Sequence, residues 1–319
     1  EVYEVMAPII QNNFGNPSSS HYFGRNAKAI IENSRRNIAK HLNFQISEII
    51  LTSGGTEADN MALLTSVTDL GVNRIVTSKI EHHAVGHTAE HMFKQYNVEI
   101  EYVDVCKKGN VDLNHLESIL KEPIPTLVSL MHANNEIGTL LPLKEVSVLC
   151  RKYNAYFHSD TVQTMGHSTF DLKDLDVDFL TCAAHKFHGP KGIGFLYCNS
   201  KTHLTPMIHG GAQERGFRGG TENIYGIVGL SKAMDLAYQD LSEHQNQVWS
   251  LKNHMISEFK KYFDEIDFHG EISKEKSLYT VLNVCFPATE KASMLLFTLD
   301  LKGIAASGGS ACSSGSTKG

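Results

Sequence analysis

Ala183-Ala184-His185-Lys186-Phe187-His188-Gly189-Pro190-Lys191-Gly192, together with the upstream His158-Ser159-Asp160, is the part of this chain from which its architecture can be read. Lys186 follows a short apolar run and is then held by a glycine- and proline-rich turn, which is a poor setting for an ordinary surface charge. Asp160 closes another apolar run, Ala155-Tyr156-Phe157-His158, that should lie in the centre of a sheet. A carboxylate buried there is costly unless a cation meets it. Working outward, short apolar segments recur at Ile49-Leu51, Ile75-Thr77, Val98-Tyr102, Leu127-Leu130, Phe179-Leu180 and Gly194-Tyr197. Helical patterns separate them: Ala27, Ile31, Ile38 and Leu42 share one face, and further helices are expected over roughly 83–95 and after Pro142. This alternation predicts an α/β fold with a mostly parallel sheet covered on both faces. Such sheets bind ligands beyond the carboxyl ends of their strands, where Lys186 and Asp160 both fall. From about 222 the pattern turns to long helices and a strand near 281–286, which predicts a smaller α+β domain. The expected division is a large domain over 1–245 and a small, truncated one over 246–319.

The composition narrows the class further. With 319 residues, 41% apolar and 20% charged, the chain is an ordinary globular protein, and its net charge of -6 argues against nucleic acid as a partner. No apolar run approaches the ~18 residues of a transmembrane helix, and nothing at the start resembles a signal peptide. None of the six cysteines forms a C-x-x-C pair, so neither zinc nor a redox dithiol is indicated and a reducing, cytoplasmic compartment is expected.

Several segments carry chemistry at strand ends. Ser53-Gly54-Gly55-Thr56-Glu57-Ala58-Asp59 joins a strand to a helix read as opened by Thr56 with Asp59 as its capping partner. Its glycines and free helix N–H groups suit a phosphate, although capped turns of this kind are common. In Glu81-His82-His83, His82 could stack on a flat ring or carry protons, or simply start a helix; no carboxylate lies at ligand spacing, so no metal is expected. Asn134-Asn135 could make a turn or contact a ligand. Asp160 suits a pyridinium N–H, or an ion pair with Lys186 or an arginine. Lys186, in a partly buried, cation-rich pocket that lowers its pKa, suits a Schiff base with an aldehyde. Together these two residues suggest pyridoxal phosphate. Gly210–Thr221 reads as a flexible loop with Arg215, Arg218 and a helix-capping Thr221, able to close over an anion or reach a neighbouring subunit. Cys312, flanked entirely by small residues, is the one thiol placed to move, unless the segment is a linker with an incidental cysteine.

The ordered series T-S-G-G-T-E-A-D-N, E-H-H-A-V, M-H-A-N-N-E-I-G, H-K-F-H-G-P-K-G-I-G, F-R-G-G-T-E-N and S-G-G-S-A-C resembles the group I (NifS/IscS-like) cysteine desulfurases of the class V aminotransferase superfamily, essentially end to end. The resemblance implies fold type I, with a seven-stranded sheet in the large domain. It implies that Lys186 carries pyridoxal phosphate, that Asp160 binds the pyridine nitrogen, Gln163 the phenolic oxygen and His82 the ring face, and that Asn135 lies beside ring and substrate. Gly55, Thr56 and His185 would hold the phosphate, with Thr221 reaching across a homodimer interface. Cys312 would accept sulfur from L-cysteine as a persulfide, leaving L-alanine, and pass it to an acceptor or scaffold protein for iron–sulfur cluster assembly or tRNA thiolation.

Three departures stand out. Ala183 occupies a place where the family usually has a phosphate-contacting serine; one missing hydrogen bond is worth roughly 1 kcal/mol net. The family's N-terminal L-D-x-x-A-T-T segment and the substrate-gripping arginine beyond the cysteine loop are not in this sequence. The competing expectations are another class V enzyme, such as a selenocysteine lyase or an aminotransferase, and a cofactor-binding scaffold without activity.

Overall fold

A computed structural model describes residues 1–287 and 292–308; the expected Cys312 loop lies outside these residues. The large sheet contains β1 (Ile49–Thr52), β2 (Arg74–Thr77), β3 (Glu99–Tyr102), β4 (Thr126–Ser129), β5 (Tyr156–Asp160), β6 (Phe179–Ala183) and β7 (Gly194–Cys198). Their order is β1-β7-β6-β5-β4-β2-β3, so the expected seven-stranded, mostly parallel sheet is present. Only β7 runs antiparallel to its neighbours, β1 and β6. Because it reverses twice, β1 ends on the same edge of the sheet as β2, β4, β5 and β6.

The continuous apolar runs follow from burial on both faces. Leu51, Val76, Val128, Phe157, Leu180 and Phe195 join one core with Ile31, Ile38 and Leu42 of α2 (Tyr22–Leu42) and Ile227 and Leu230 of α7 (Ile224–Gln239). Their neighbours Ile50, Ile75, Leu127, Phe179 and Leu196 join the other core with Met61 of α3 (Gly55–Asp69) and Val85 and Ala89 of α4 (His83–Tyr96). Successive strand side chains alternate between faces, so each core receives every second residue. Burying one such side chain contributes about 1.5–3 kcal/mol. Helices α2 and α4 end on Asn43 and Asn97, both at φ 56°, the left-handed cap that asparagine tolerates.

Beyond α7, α8 (Leu241–Tyr262) runs unbroken across position 245, and β8 (Asp267–His269) pairs antiparallel with β9 (Asn283–Cys285). Lys252 of α8 is buried, with its ammonium donating to Ser277 Oγ at 2.6 Å and the Leu278 carbonyl at 2.8 Å. Leu278 packs in turn on Ala133, just after β4.

The segment 210–221, expected to be a flexible loop, is tied down by charge. Glu214 is buried; one carboxylate oxygen pairs with the buried Arg35 guanidinium and the other accepts from the Leu51 N–H at 2.8 Å. These bonds hold Glu214 and Arg215 at φ 46° and 58°, a left-handed conformation that costs a non-glycine residue free energy. Arg218 grips Glu57 through Nε at 2.9 Å and Nη2 at 3.2 Å, while Arg215 faces Glu32 at 3.8 Å. Both arginines are therefore engaged within the chain. The cap of α7 is Asn223, which accepts from the Gly226 N–H at 3.1 Å, and not Thr221, whose side chain is exposed. Replacing Glu214 by alanine strips the buried Arg35 of one of its two carboxylates, leaving Glu32 at 3.3 Å, and leaves the Leu51 N–H without its acceptor, which is expected to cost about 1–3 kcal/mol of stability. Urea unfolding measures this, and a loss under 1 kcal/mol would show that the loop is held by other contacts.

Candidate active site

The sheet edge gathers the segments singled out in the sequence. Thr52 ends β1 and leads into Gly54-Gly55 at the start of α3. Gly54 sits at φ 153°, ψ -173°, a conformation open essentially to glycine alone. A Cβ on Gly55 would lie 2.5 Å from Val162 Cγ2, which nothing but glycine avoids, and 3.7 Å from Ala183 Cβ. Gly55 therefore touches the segments that follow Asp160 and precede Lys186. The first N–H groups of α3 have no intrahelical partners, and Thr56 stands exposed beside them. Contrary to expectation, Thr56 does not open the helix; α3 begins at Gly55, and Gly54 caps it without a side-chain bond. The reach-back comes from Glu57, which accepts from the Ser53 N–H at 2.8 Å.

Asp59 is likewise no cap. It falls on the sheet-facing side of α3, 1% exposed, with Oδ1 3.4 Å from Nε2 of the fully buried His158. Burial lowers the His158 pKa to about 4, so the ring is neutral. Its Nδ1 shares a hydrogen bond with the Ser129 hydroxyl at 2.8 Å, while its Nε2 faces Asp59 without a hydrogen bond of good geometry. This Ser–His–Asp order has the look of a hydrolase triad, but none of the three side chains is open to a substrate.

Asp160, the last residue of β5, is buried; its Oδ1 accepts from the Val162 N–H at 2.9 Å and the Thr181 hydroxyl at 3.4 Å. Burial and the neighbouring Asp59 push its pKa up to about 7, and burial does the same for Asp59. His82 caps α4, with Nδ1 accepting from the Ala84 N–H at 3.1 Å. One oxygen each of Asp59 and Asp160 and one His82 nitrogen lie within 4.8 Å of one another. Sequence spacing offered His82 no carboxylate partner, and the fold supplies two. Glu81 accepts from Ser78 Oγ at 2.7 Å and the Met131 N–H at 2.9 Å, and burial raises its pKa to about 8.

The two asparagines separate into different tasks. Asn134 makes the turn, its Oδ1 accepting from Glu136 and Ile137 N–H at 2.9 and 3.0 Å; Asn135 is left half-buried outside that bonding. Gln163 is also half-buried, one turn past Asp160. Lys186 stands on a 3-10 turn, Ala184–Phe187, directly after β6, the strand paired in register with β5. Its side chain and that of His185 are exposed, so the partly buried pocket expected around Lys186 is not seen. The reason is the turn itself, which buries Ala184 and Phe187 and directs the two residues between them outward. His185 has a lowered pKa from partial burial and from the charges of Lys186 and Lys191.

The residues that sequence reading missed or misread are Asp59, Glu81, His158 and Thr181. One signal was available: Asp59 lies between Ala58 and Ala62 on the face of α3 that packs on the sheet, where a charge has no reason to be unless it serves a site.

The site fits pyridoxal phosphate on chemical grounds. A dry pair of carboxylates to which, among the described residues, no lysine or arginine is bound calls for a cation such as a pyridinium N–H, and the glycine turn at a helix N-terminus suits a phosphate. Ala183 presents only a methyl beside Gly55, so no hydroxyl comes from that position.

Residues 1–318 match the family described as aminotransferase class V, and the chain belongs to that family. Among its relatives, it is 43% identical to the cysteine desulfurase IscS of Dictyoglomus turgidum, over 99% of this chain and 79% of that protein. It is 41% identical to the putative cysteine desulfurase IscS 1 of Bacillus subtilis, over 99% of this chain and 82% of that protein. A solved structure described as a NifS-like protein superposes with a TM-score of 0.90 at 38% identity, covering 96% of this chain and 83% of the other. The fold is thus the fold type I arrangement expected from the motifs.

Proposed function

We propose that this protein is a pyridoxal-phosphate-dependent cysteine desulfurase that takes sulfur from L-cysteine onto Cys312 and releases L-alanine. The observation that carries this reading is the meeting of Asp160, His82 and the Gly54–Thr56 turn beside the Lys186 strand end, in a chain 43% identical to a cysteine desulfurase. Bound there, the cofactor supplies a ring that stabilises negative charge developing at the substrate Cα. Lys186 would tether it and, once the substrate amine has displaced the lysine, its free Nζ would take the Cα proton. Asp160 keeps the ring nitrogen protonated, with Gln163 at the phenolic oxygen, Asn135 beside the substrate, and Gly55, Thr56 and His185 at the phosphate. The Nδ1 of His82 is occupied by the Ala84 N–H, which leaves Nε2 to carry protons between substrate sulfur and cofactor. The Cys312 thiolate attacks that sulfur; an S–S bond forms as the substrate Cβ–S bond breaks, and its electron pair stays on carbon and is protonated to the alanine methyl.

The reading extends to the assembly. Thr221 is exposed on a loop braced against α3 by Arg218 and Glu57, a placement suited to the phosphate of a second copy in a homodimer. The five described cysteines are all unpaired, which suits a cytoplasmic enzyme. Among the described residues no helix is long and apolar enough to cross a membrane. A large domain over 1–245 and a small one over 246–319, an acceptor or scaffold protein for the sulfur, and a role in iron–sulfur cluster assembly or tRNA thiolation complete the proposal. Supplying L-cysteine and a thiol reductant to the purified protein should yield alanine and sulfide in equal amounts. A keto acid product in place of alanine would move the protein to the aminotransferases.

A further inference from the structure

The two carboxylates in the site do unequal work in the reading above, since only Asp160 has been given a task. Asp59 comes from α3, a different element, and reaches the same spot. Strand alternation explains how. Phe157 and Leu180 point to the α2 and α7 side, so His158, Asp160 and Thr181 point to the α3 side, where Asp59 faces them. Thr181 lies opposite Asp160 in the β5–β6 register and donates its hydroxyl to Asp160 at 3.4 Å. The charged and titratable groups facing the pair are Glu81, itself an acid, the neutral His158, and His82 at the α4 cap. Among the described residues no lysine or arginine forms an ion pair with Asp59 or Asp160. Asp59 Oδ1 has no hydrogen bond of good geometry, although the residue is almost wholly buried. An isolated pair of acids in so dry a place is expensive for a scaffold to keep. Its cost is offset when a cation binds between or beside them.

We infer that Asp59 is a positioning residue for the cofactor: a second carboxylate behind Asp160 whose negative field, passed through the dry space they share with Thr181, holds the proton on the ring nitrogen. The inference rests on the reading that Asp160 meets that nitrogen. Two acids within 4.8 Å act on one proton more strongly than one does, because the low local dielectric leaves their fields unscreened. His158 Nε2 faces Asp59 Oδ1 at 3.4 Å, and Ser129 fixes the ring of His158.

The test compares binding of pyridoxal phosphate with binding of its 1-deaza analogue, in which C–H replaces the ring nitrogen, by equilibrium dialysis against apoprotein prepared from the holoenzyme. The wild-type protein should prefer the natural cofactor, and D59N should reduce that preference by about tenfold or more, the equivalent of one pKa unit or more. Should Asp59→Asn fail to fold, Asp59→Ser removes the same charge and is measured in its place. A purely structural Asp59 would weaken both ligands alike, and an unchanged ratio overturns the inference. A wild-type protein indifferent to the ring nitrogen overturns the reading of Asp160 as well, so the two failures are told apart.

Discussion

Lys186→Ala should yield a folded, colourless protein that retains pyridoxal phosphate only loosely and desulfurates no cysteine. The expectation of normal folding comes from where the residue's contacts lie. The turn around Lys186 is held by its backbone: the Gly189 N–H donates to the Ala184 carbonyl at 2.9 Å, and His167 Nε2 lies 3.0 Å from the Lys186 carbonyl. His188 adopts φ 65° to close the turn, and Gly189 has no room for a Cβ against Ala184. None of this involves the lysine amine, whose side chain is exposed. Exposed substitutions of this kind usually change stability by less than about 0.5 kcal/mol. The amine alone is lost, and with it the covalent tether and the base for the Cα proton. Visible spectra and borohydride trapping before and after dialysis measure the effect. A variant that stays yellow and is still trapped by borohydride on another lysine would remove Lys186 from its role.

Cys312→Ser should leave the spectrum intact and abolish sulfide release from L-cysteine. The choice of Cys312 is sharpened by the other thiols. Cys150, Cys182 and Cys198 lie in the core, and burial pushes each well above the ordinary thiol pKa, so they stay protonated and inert. Cys106 and Cys285 are exposed. The Cys106 thiol is drawn below its usual value, chiefly by the Asn110 amide that donates to its sulfur at 3.5 Å, and it is the strongest competitor. It lies beyond β3, at the sheet edge opposite β1 and several strands from Lys186. Cys106→Ser and Cys285→Ser therefore serve as controls that should release sulfide at the wild-type rate. Sulfide production that survives in Cys312→Ser, or disappears in Cys106→Ser, would assign the persulfide to a different sulfur.

Much of this molecule was legible before folding. Alternating short apolar runs and helical stripes announced a parallel sheet, because strands buried on two faces must be apolar at every position. Lys186, Asp160 and the Gly54-Gly55 turn stood out because each breaks the local rule: a charge after a buried strand, or glycines where a helix begins. Asp59 broke a rule as well, yet its neighbour Thr56 offered a capping reading that a linear pattern could not reject. The loop 210–221 misled for a related reason. Its glycines and arginines look mobile in sequence, and only the return of the chain over β1 brings Glu214 to Arg35 and Arg218 to Glu57.

What the order of residues determined alone is therefore the sheet, its buried strands and the identity of the groups at their ends, since burial and backbone geometry act on each segment locally. Tertiary structure decided which of those groups face one another. Asp59, His82 and Asp160 come from three separate elements, and the proton affinities of the two carboxylates depend on mutual distance and on exclusion of water. Neither exists until α3 and α4 close over the sheet.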